Sequence, residues 1–367
     1  MQVGTLGALE FLAFPALGLV AGVWADRLRR RPVLIVCDVL RMLALGSIPI
    51  AWALGGLTMS QLYVVAALTG VGTVFFDVAY QSYLPALIDR GDLVEGNSKL
   101  EVTRSAAAVV GPALAGVLIQ AVRAAVAIAA DALSFGVSAL TLWWIRSPEP
   151  DPRRTADGRG SFFRELWEGV GVVLQNPVIR LIAGCTATAN LGSSIVGAVY
   201  LLFAYRRLGL SAGTVGVIFA IGSVGAVMGA LLSAPVARRL GVGPTLVAAI
   251  VTGGAAGFLI PLAMYGEGVV LLGVAWFFIS LGSPIYNVNQ VSLRQAIVPL
   301  RLQGRLNATV RTVIWGTIPV GSAIGGLLGA RIGLVPTLVT GAALSTVAAL
   351  WLVGGPVRVR EIPVPVD

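Results

Sequence analysis

Apolar runs of about twenty residues recur along this chain, separated by short segments that hold most of its charge. A helix of about 20 residues crosses a hydrocarbon core of about 30 Å, and a backbone in lipid must satisfy its own hydrogen bonds. With that ruler, eleven spans fall near 4–25, 33–54, 60–84, 98–120, 124–146, 178–205, 211–235, 244–264, 268–292, 306–330 and 334–354. The runs are too long, and alternate too little, for the strands of a closed barrel. Of 367 residues, 57% are hydrophobic and 12% charged, and the mean hydropathy is +0.89. That leaves too little polar surface to cover a water-facing core of this size. The expected fold class is therefore all-α, a polytopic membrane bundle.

The net charge of +9 is carried by arginine, with Lys99 the single lysine. Its distribution excludes nucleic acid as the reason for it. Twenty-one basic side chains fall in or at the borders of one set of inter-span segments and only Arg123, Arg206, Arg207 and Arg331 in the other. The positive-inside rule puts the first set in the cytoplasm. The C-terminus is then inside and Met1 outside. Arginine dominance suggests a high-GC bacterial source and a multi-pass protein of the cell membrane. Cys37 and Cys185 both lie in apolar spans and read as small buried hydrophobes. Histidine is absent, so no imidazole relay or His-ligated metal is available. No cofactor, metal site or nucleophile–base pair is expected, and no phosphate-binding loop of the G-x4-G-K-S/T kind occurs. The chain is therefore not expected to be an enzyme. The first span lacks a basic leader, carries Glu10 and runs into a basic loop, unlike a signal peptide.

The organisation expected is an N-terminal helical half (1–146, five spans) and a cytoplasmic linker (147–177). A C-terminal half (178–355, six spans) and a cytoplasmic tail (356–367) follow. The linker segment from Ser161 to about Gln175 has apolar residues at helical spacing, which fits a helix lying along the inner membrane surface. A weak internal repeat supports the halves. Gly18-x3-Gly22 is echoed by Gly229-x3-Ser233 at an offset of 211, Gln81 by Gln290 at 209, and Arg104 with Pro112 by Arg311 with Pro319 at 207. Shifted back by the same distance, the span 178–205 finds its partner before Met1. The repeat thus implies twelve spans of which the first is missing. The odd span count agrees.

The segment Gly22-Val23-Trp24-Ala25-Asp26-Arg27-Leu28-Arg29-Arg30-Arg31 resembles the loop between the second and third helices of the major facilitator superfamily. Arg29 stands where Gly is usual there. In that family the loop helps latch the cytoplasmic side shut, which implies a gating role for Gly22, Asp26, Arg27 and Arg30. An ordinary positive-inside cluster would also produce the run. Gly111-Pro112-Ala113-Leu114-Ala115-Gly116 resembles the family's antiporter signature, with Gly111, Pro112 and Gly116 forming a pliable kink. A generic packing kink is the plainer reading. The run from Phe75 through Pro85 with Glu101 and Arg104, and that from Gly304 to Pro319, resemble the subgroup of drug, macrolide and siderophore exporters.

Charges inside spans default to a functional hypothesis. Asp38, Arg41, Asp77, Glu101 and Arg104 fall toward the cytoplasmic ends, where acids and bases can pair; a gate ion-pair network is expected of them. Glu10 and Asp131 lie toward the outer side with no base at similar depth, which makes them the candidates for proton coupling. The second half holds no acid within a span. Its polar groups look like cavity lining: Thr186, Thr188, Asn190, Trp276, Tyr286, Asn287, Asn289 and Gln290, joined from the first half by Tyr80 and Gln81. Helix–helix hydrogen bonding is the plainer role for any one of them.

The resemblance implies a secondary transporter that exports a small amphipathic organic compound, drug-, macrolide- or siderophore-like, by proton antiport. The expected partners are that small-molecule substrate, protons and the lipid bilayer, with the chain acting as a monomer. A proton symporter or facilitator, a non-transporting membrane interaction protein and an inactive truncated remnant remain as alternatives.

Overall fold

The computed structural model of the chain describes residues 17–18, 20–24, 27–121, 124–146 and 162–353. Among these residues the regular structure is helical, with no strand. Residues 17–18 and 20–24 are helical and precede α1 (Arg30–Ala53), α2 (Met59–Leu87), α3 (Leu93–Ala121) and α4 (Ala124–Trp144). Next come α5 (Phe162–Gln175), α6 (Pro177–Leu202), α7 (Ala212–Leu240), α8 (Val242–Ala256) and α9 (Leu259–Leu262). The order closes with α10 (Gly268–Ile297), α11 (Gln303–Arg331), α12 (Leu334–Val347) and α13 (Leu350–Val353). Among the described residues, nine helical stretches are long and apolar enough to cross a membrane, with α8–α9 and α12–α13 each counting as one. In addition, α3 runs for 29 residues over the span expected at 98–120, with Glu95, Lys99, Glu101 and Arg104 in its first half. The span expected at 4–25 lies mostly outside the described residues.

Local chemistry sets the helix ends. Thr58 Oγ1 accepts the Gln61 amide at 3.2 Å to open α2. Asn176 Oδ1 accepts the amides of Val178 and Ile179 at 3.0 and 3.2 Å to open α6, with Pro177 at its first position. Both are the usual repair of orphan N–H groups. Gly241, at φ +87°, turns the chain between α7 and α8 in a region that costs other residues strain.

The packing reads as a protein solvated by lipid. On α1, Val36, Leu43 and Ile50 recur every seven residues and are 65%, 63% and 63% exposed, while Asp38 and Arg41 on the same helix are buried. Such a polarity is reversed from that of a water-soluble helix and is stable only where the outside is apolar.

By contacts, the described residues fall into two units that exchange segments. One comprises Met1–Asp89, Val110–Val172 and Val298–Thr312; the other comprises Arg90–Val109, Val173–Ile297 and Val313–Asp367. The first half of α3 thus groups with α6–α10, and the start of α11 groups with α1 and α2. In the first unit Leu34, Ala79 and Tyr83 form one core cluster and Ala44, Ile48 and Val65 another. In the second, Ile182, Cys185, Leu246, Leu293 and Leu352 form one cluster. Tyr200 belongs to another, where Trp276 meets it edge-on at 5.2 Å and Phe219 edge-on at 4.8 Å. Small residues bring helices together: a Cβ on Gly192 of α6 would lie 2.6 Å from the Gly341 carbonyl of α12, and one on Gly341 2.7 Å from the Gly192 carbonyl. The two helices touch backbone to backbone there.

Candidate functional site

Some of the charged residues singled out from the sequence, Arg30, Asp77, Glu101 and Arg104, lie in polar joints at the helix ends that carry the basic loops. In the first unit, the helical residues 20–24 land on the start of α11. A Cβ at Gly22 would be 2.5 Å from Ala308 Cβ and 2.9 Å from the Gly304 carbonyl, so only glycine permits this approach. Ala21, Val74, Val78 and Ala308 close an apolar cluster around it. Polar pairs then fasten α2 to α11. Arg311 Nη1 donates to Asp77 Oδ2 at 2.7 Å, and Asn307 Nδ2 donates to Ser82 Oγ at 3.3 Å. Arg30, 2% exposed, donates from Nη2 to the Leu300 carbonyl at 2.9 Å. Arg31 donates to the carbonyls of Leu142 and Trp143 in the last turn of α4, where a cation complements the helix dipole. These contacts tie helices from the beginning of the sequence to a segment near its end.

About two turns further along α1, Asp38 and Arg41 pair, Arg41 Nη2 to Asp38 Oδ1 at 2.5 Å. Both are buried, at 0% and 6% exposure. The Arg41 guanidinium lies 4.4 Å from the centroids of both Phe76 on α2 and Phe135 on α4. This cation–π sandwich pins three helices around one charge. A desolvated ion pair of this kind is costly to break from one side, because the partner charge is left behind.

The second unit has a matching joint between α3, α7 and α10. Ser98 Oγ donates to the Ala230 carbonyl at 2.6 Å. Asn97 Nδ2 donates to Ser292 Oγ at 3.0 Å and to Gln295 Oε1 at 2.7 Å. Arg90 Nη1 donates to the Ala296 carbonyl in the last turn of α10 at 3.0 Å. Glu101 accepts from Arg104 at 2.7 and 3.1 Å and from Asn287 Nδ2 at 3.2 Å, and Gln290 Nε2 donates to Asn287 Oδ1 at 3.2 Å.

The five residues expected as one gate network thus sit in three places. Asp38 with Arg41 sits on α1 between Phe76 of α2 and Phe135 of α4, Asp77 joins α11, and Glu101 with Arg104 joins α10. Among the residues expected to line a cavity, Tyr286 is buried and its hydroxyl lies 2.7 Å from Thr186 Oγ1. Asn289 and Gln290 are 0% and 3% exposed, while Tyr80, Gln81 and Asn190 are half-buried. Tyr80 stacks on Phe76. Asp131 is exposed on α4 and makes no ion pair among the described residues. Arg27 is exposed. Gly111, Pro112 and Gly116 lie within the continuous helix α3, and a Cβ on Gly111 would meet nothing within 4 Å. Glu10 and Asp26 lie outside the described residues. Among those described, no cluster of three or more His, Cys, Asp or Glu could hold a metal.

Sequence reasoning missed Arg311, Asn307, Ser82, Asn97, Ser98 and Ser292 as members of the joints. Arg311 left one usable trace, its repeat relation to Arg104. The serines and asparagines left none, since such residues occur throughout the spans.

Comparison with known proteins agrees with this architecture. The profile of the Major Facilitator Superfamily matches residues 1–318. The multidrug efflux pump Tap of Mycolicibacterium fortuitum is 26% identical over 332 residues, 87% of this chain and 78% of Tap. The enterobactin exporter EntS of Salmonella choleraesuis is 26% identical over 344 residues, 89% of this chain and 76% of EntS. Among solved structures, the E. coli fucose:proton symporter superposes with a TM-score of 0.75 at 15% identity, covering 96% of this chain and 90% of that one. An all-helical, lipid-facing chain with polar joints at its basic ends, matched over most of its length by this profile, belongs to the Major Facilitator Superfamily, as a multi-pass bacterial membrane transporter.

Proposed function

We propose that this transporter exports a small amphipathic organic compound of drug, macrolide or siderophore type, in exchange for protons. The observation that carries the reading is the pair of joints at the basic, cytoplasmic ends of the helices. In one, α2 meets α11 through Asp77 and Arg311; in the other, α3 meets α7 and α10 through Ser98, Asn97 and Glu101. Each ties a helix of the first half of the sequence to one of the second, as a closed inner gate requires. A transporter must break such contacts to load from the cytoplasm, so they are built from pairs worth about 1 kcal/mol each rather than from a continuous apolar core. The names of the two relatives, a multidrug pump and a siderophore exporter, support the direction and the substrate class. Gly22, Asp26, Arg27 and Arg30 are assigned to the gate. Gly111, Pro112 and Gly116 are assigned to a flexible point of α3. Glu10 and Asp131 are assigned to proton coupling, since the second half carries no acid within its spans.

The test is substrate-driven proton movement in proteoliposomes containing the full chain, with a macrolide, enterobactin and a lipophilic cationic dye as probes. Antiport predicts that an outward proton gradient and substrate uptake are opposed in direction, and that Glu10→Gln or Asp131→Asn uncouples them. Protons and substrate moving together would make the chain a symporter. Absence of flux with every probe would refute the transport reading for this compound class.

A further inference from the structure

A groove of about 650 Å³ opens beside the basic loop of the first unit, between the end of the helical residues 20–24, the first turns of α1 and the middle of α2. Its walls are apolar: Trp24, Val33, Val36, Leu40, Val71 and Phe75. Trp24 and Phe75 meet edge-on at 6.1 Å to form one side, and Val36, 65% exposed, opens the other to the surroundings. Arg27 and Arg29 stand exposed at the mouth, and the described lining holds no acid. The volume lies within the range of about 300–1,000 Å³ that holds a drug-sized or single-chain ligand. We propose that this groove holds one acyl chain of an anionic phospholipid of the cytoplasmic leaflet, with the headgroup phosphate against Arg27 and Arg29.

The membrane itself fixes the occupant. In a bilayer an open apolar groove is filled by lipid tails, and hydrocarbon gains nothing by leaving other hydrocarbon for it. The apolar walls therefore supply shape, and selection comes from the mouth. A basic pocket between spans on the cytoplasmic side attracts anionic headgroups, and each arginine near the surface contributes about fivefold in binding. A guanidinium has five donors, more than a single protein partner consumes, so a phosphate adds to the contacts these arginines already make. Trp24, about half exposed, sits where an amphipathic ring is favoured at the headgroup level. A lipid seated here would touch both the gating loop and α1, whose deeper face carries the Asp38–Arg41 pair.

The experiment is native mass spectrometry of the full chain released from detergent, offered equimolar dioleoyl phosphatidylglycerol and dioleoyl phosphatidylcholine. Two arginines predict that phosphatidylglycerol is retained about thirtyfold over phosphatidylcholine. Arg29→Gln should lower that ratio about fivefold. Val36→Trp, which fills the groove from an exposed position, should reduce retention of both lipids with the melting temperature unchanged. Arg206→Gln with Arg207→Gln, in a loop of the opposite set, should leave the ratio as it is. Equal retention of the two lipids by the wild type would overturn the proposal. So would an unchanged ratio in Arg29→Gln, unchanged retention in a folded Val36→Trp, or an equal fall in the Arg206/Arg207 variant, the mark of diffuse surface attraction.

Discussion

Removing the carboxylate of Asp77 should loosen the joint between α2 and α11 by a calculable amount. Its bond to Arg311 spans 2.7 Å, with the two side chains 31% and 21% exposed. A hydrogen bond between charged partners contributes about 1.5–3 kcal/mol when shielded from solvent. Screening at this exposure reduces it to about 1–2 kcal/mol, or roughly a tenfold change in the open fraction of the joint. The reporter is a cysteine at Val78, which is fully buried in the Ala21–Val74–Ala308 cluster. The background lacks Cys37 and Cys185, the only native thiols. Asp77→Asn should speed N-ethylmaleimide labelling of that thiol about tenfold. Arg311→Gln should speed it at least as much, and the double variant should be no faster than Arg311→Gln alone, because both changes remove the same ion pair. A second reporter at Ala249, buried in the other unit, should not respond. Single-variant labelling rates equal to that of the parent would refute the joint. Effects that multiply in the double variant would show that the two residues act independently.

The remaining predictions concern packing. Gly22→Ala should raise labelling at position 78 much more than Gly18→Ala, since the added methyl meets the Gly304 carbonyl at 2.9 Å in the first case and only the Thr312 hydroxyl at 3.3 Å in the second. Gly192→Ala should destabilise the fold by about 1–3 kcal/mol by forcing α6 from α12, seen as a lower melting temperature on size-exclusion chromatography. Gly326→Ala, with nothing within 4 Å of the new Cβ, should stay within about 0.5 kcal/mol of wild type. Asn97→Leu should cost about 1–3 kcal/mol by removing the two bonds that Asn97 Nδ2 makes across to Ser292 Oγ and Gln295 Oε1 on α10. Lys99→Met, which breaks only the exposed pair with Glu95, should change the melting temperature hardly at all.

The spans were legible because lipid imposes a length that the apolar runs must meet. Expected 33–54 became Arg30–Ala53, and expected 124–146 became Ala124–Trp144. The errors have a direction. The spans expected to end at 84, 235 and 292 continue as helix to Leu87, Leu240 and Ile297. Apolarity stops where the hydrocarbon stops, whereas backbone hydrogen bonding continues into the polar layer. The breaks after Ala256 and Val347 escaped notice because they occur inside apolar sequence, where hydropathy carries no signal. The charged residues were legible as a tier and illegible as partners. Depth along a helix can be counted from sequence, but the face presented to a neighbour 234 residues away depends on packing that hydropathy does not encode.

The repeat relates the two joints, and the way they differ bears on mechanism. Arg311 corresponds to Arg104 at an offset of 207, and Asp77 to Tyr286 at 209. In the first unit the carboxylate therefore reaches Arg311 from another helix. In the second the equivalent place on α10 holds a neutral tyrosine turned toward Thr186, and Arg104 takes its carboxylate from Glu101 one turn earlier on its own helix. Asn287 Nδ2 carries that network across to α10. Neutralising one carboxylate would release an inter-helix ion pair in the first unit, where the neutral Asn307–Ser82 bond would remain, but in the second it would release an ion pair within α3 and leave the Asn97 and Ser98 bonds standing. Charge thus bears on an inter-helix ion pair in the first joint and only on the Glu101–Asn287 bond in the second, so a proton acting on the gate would act mainly through the α2–α11 side.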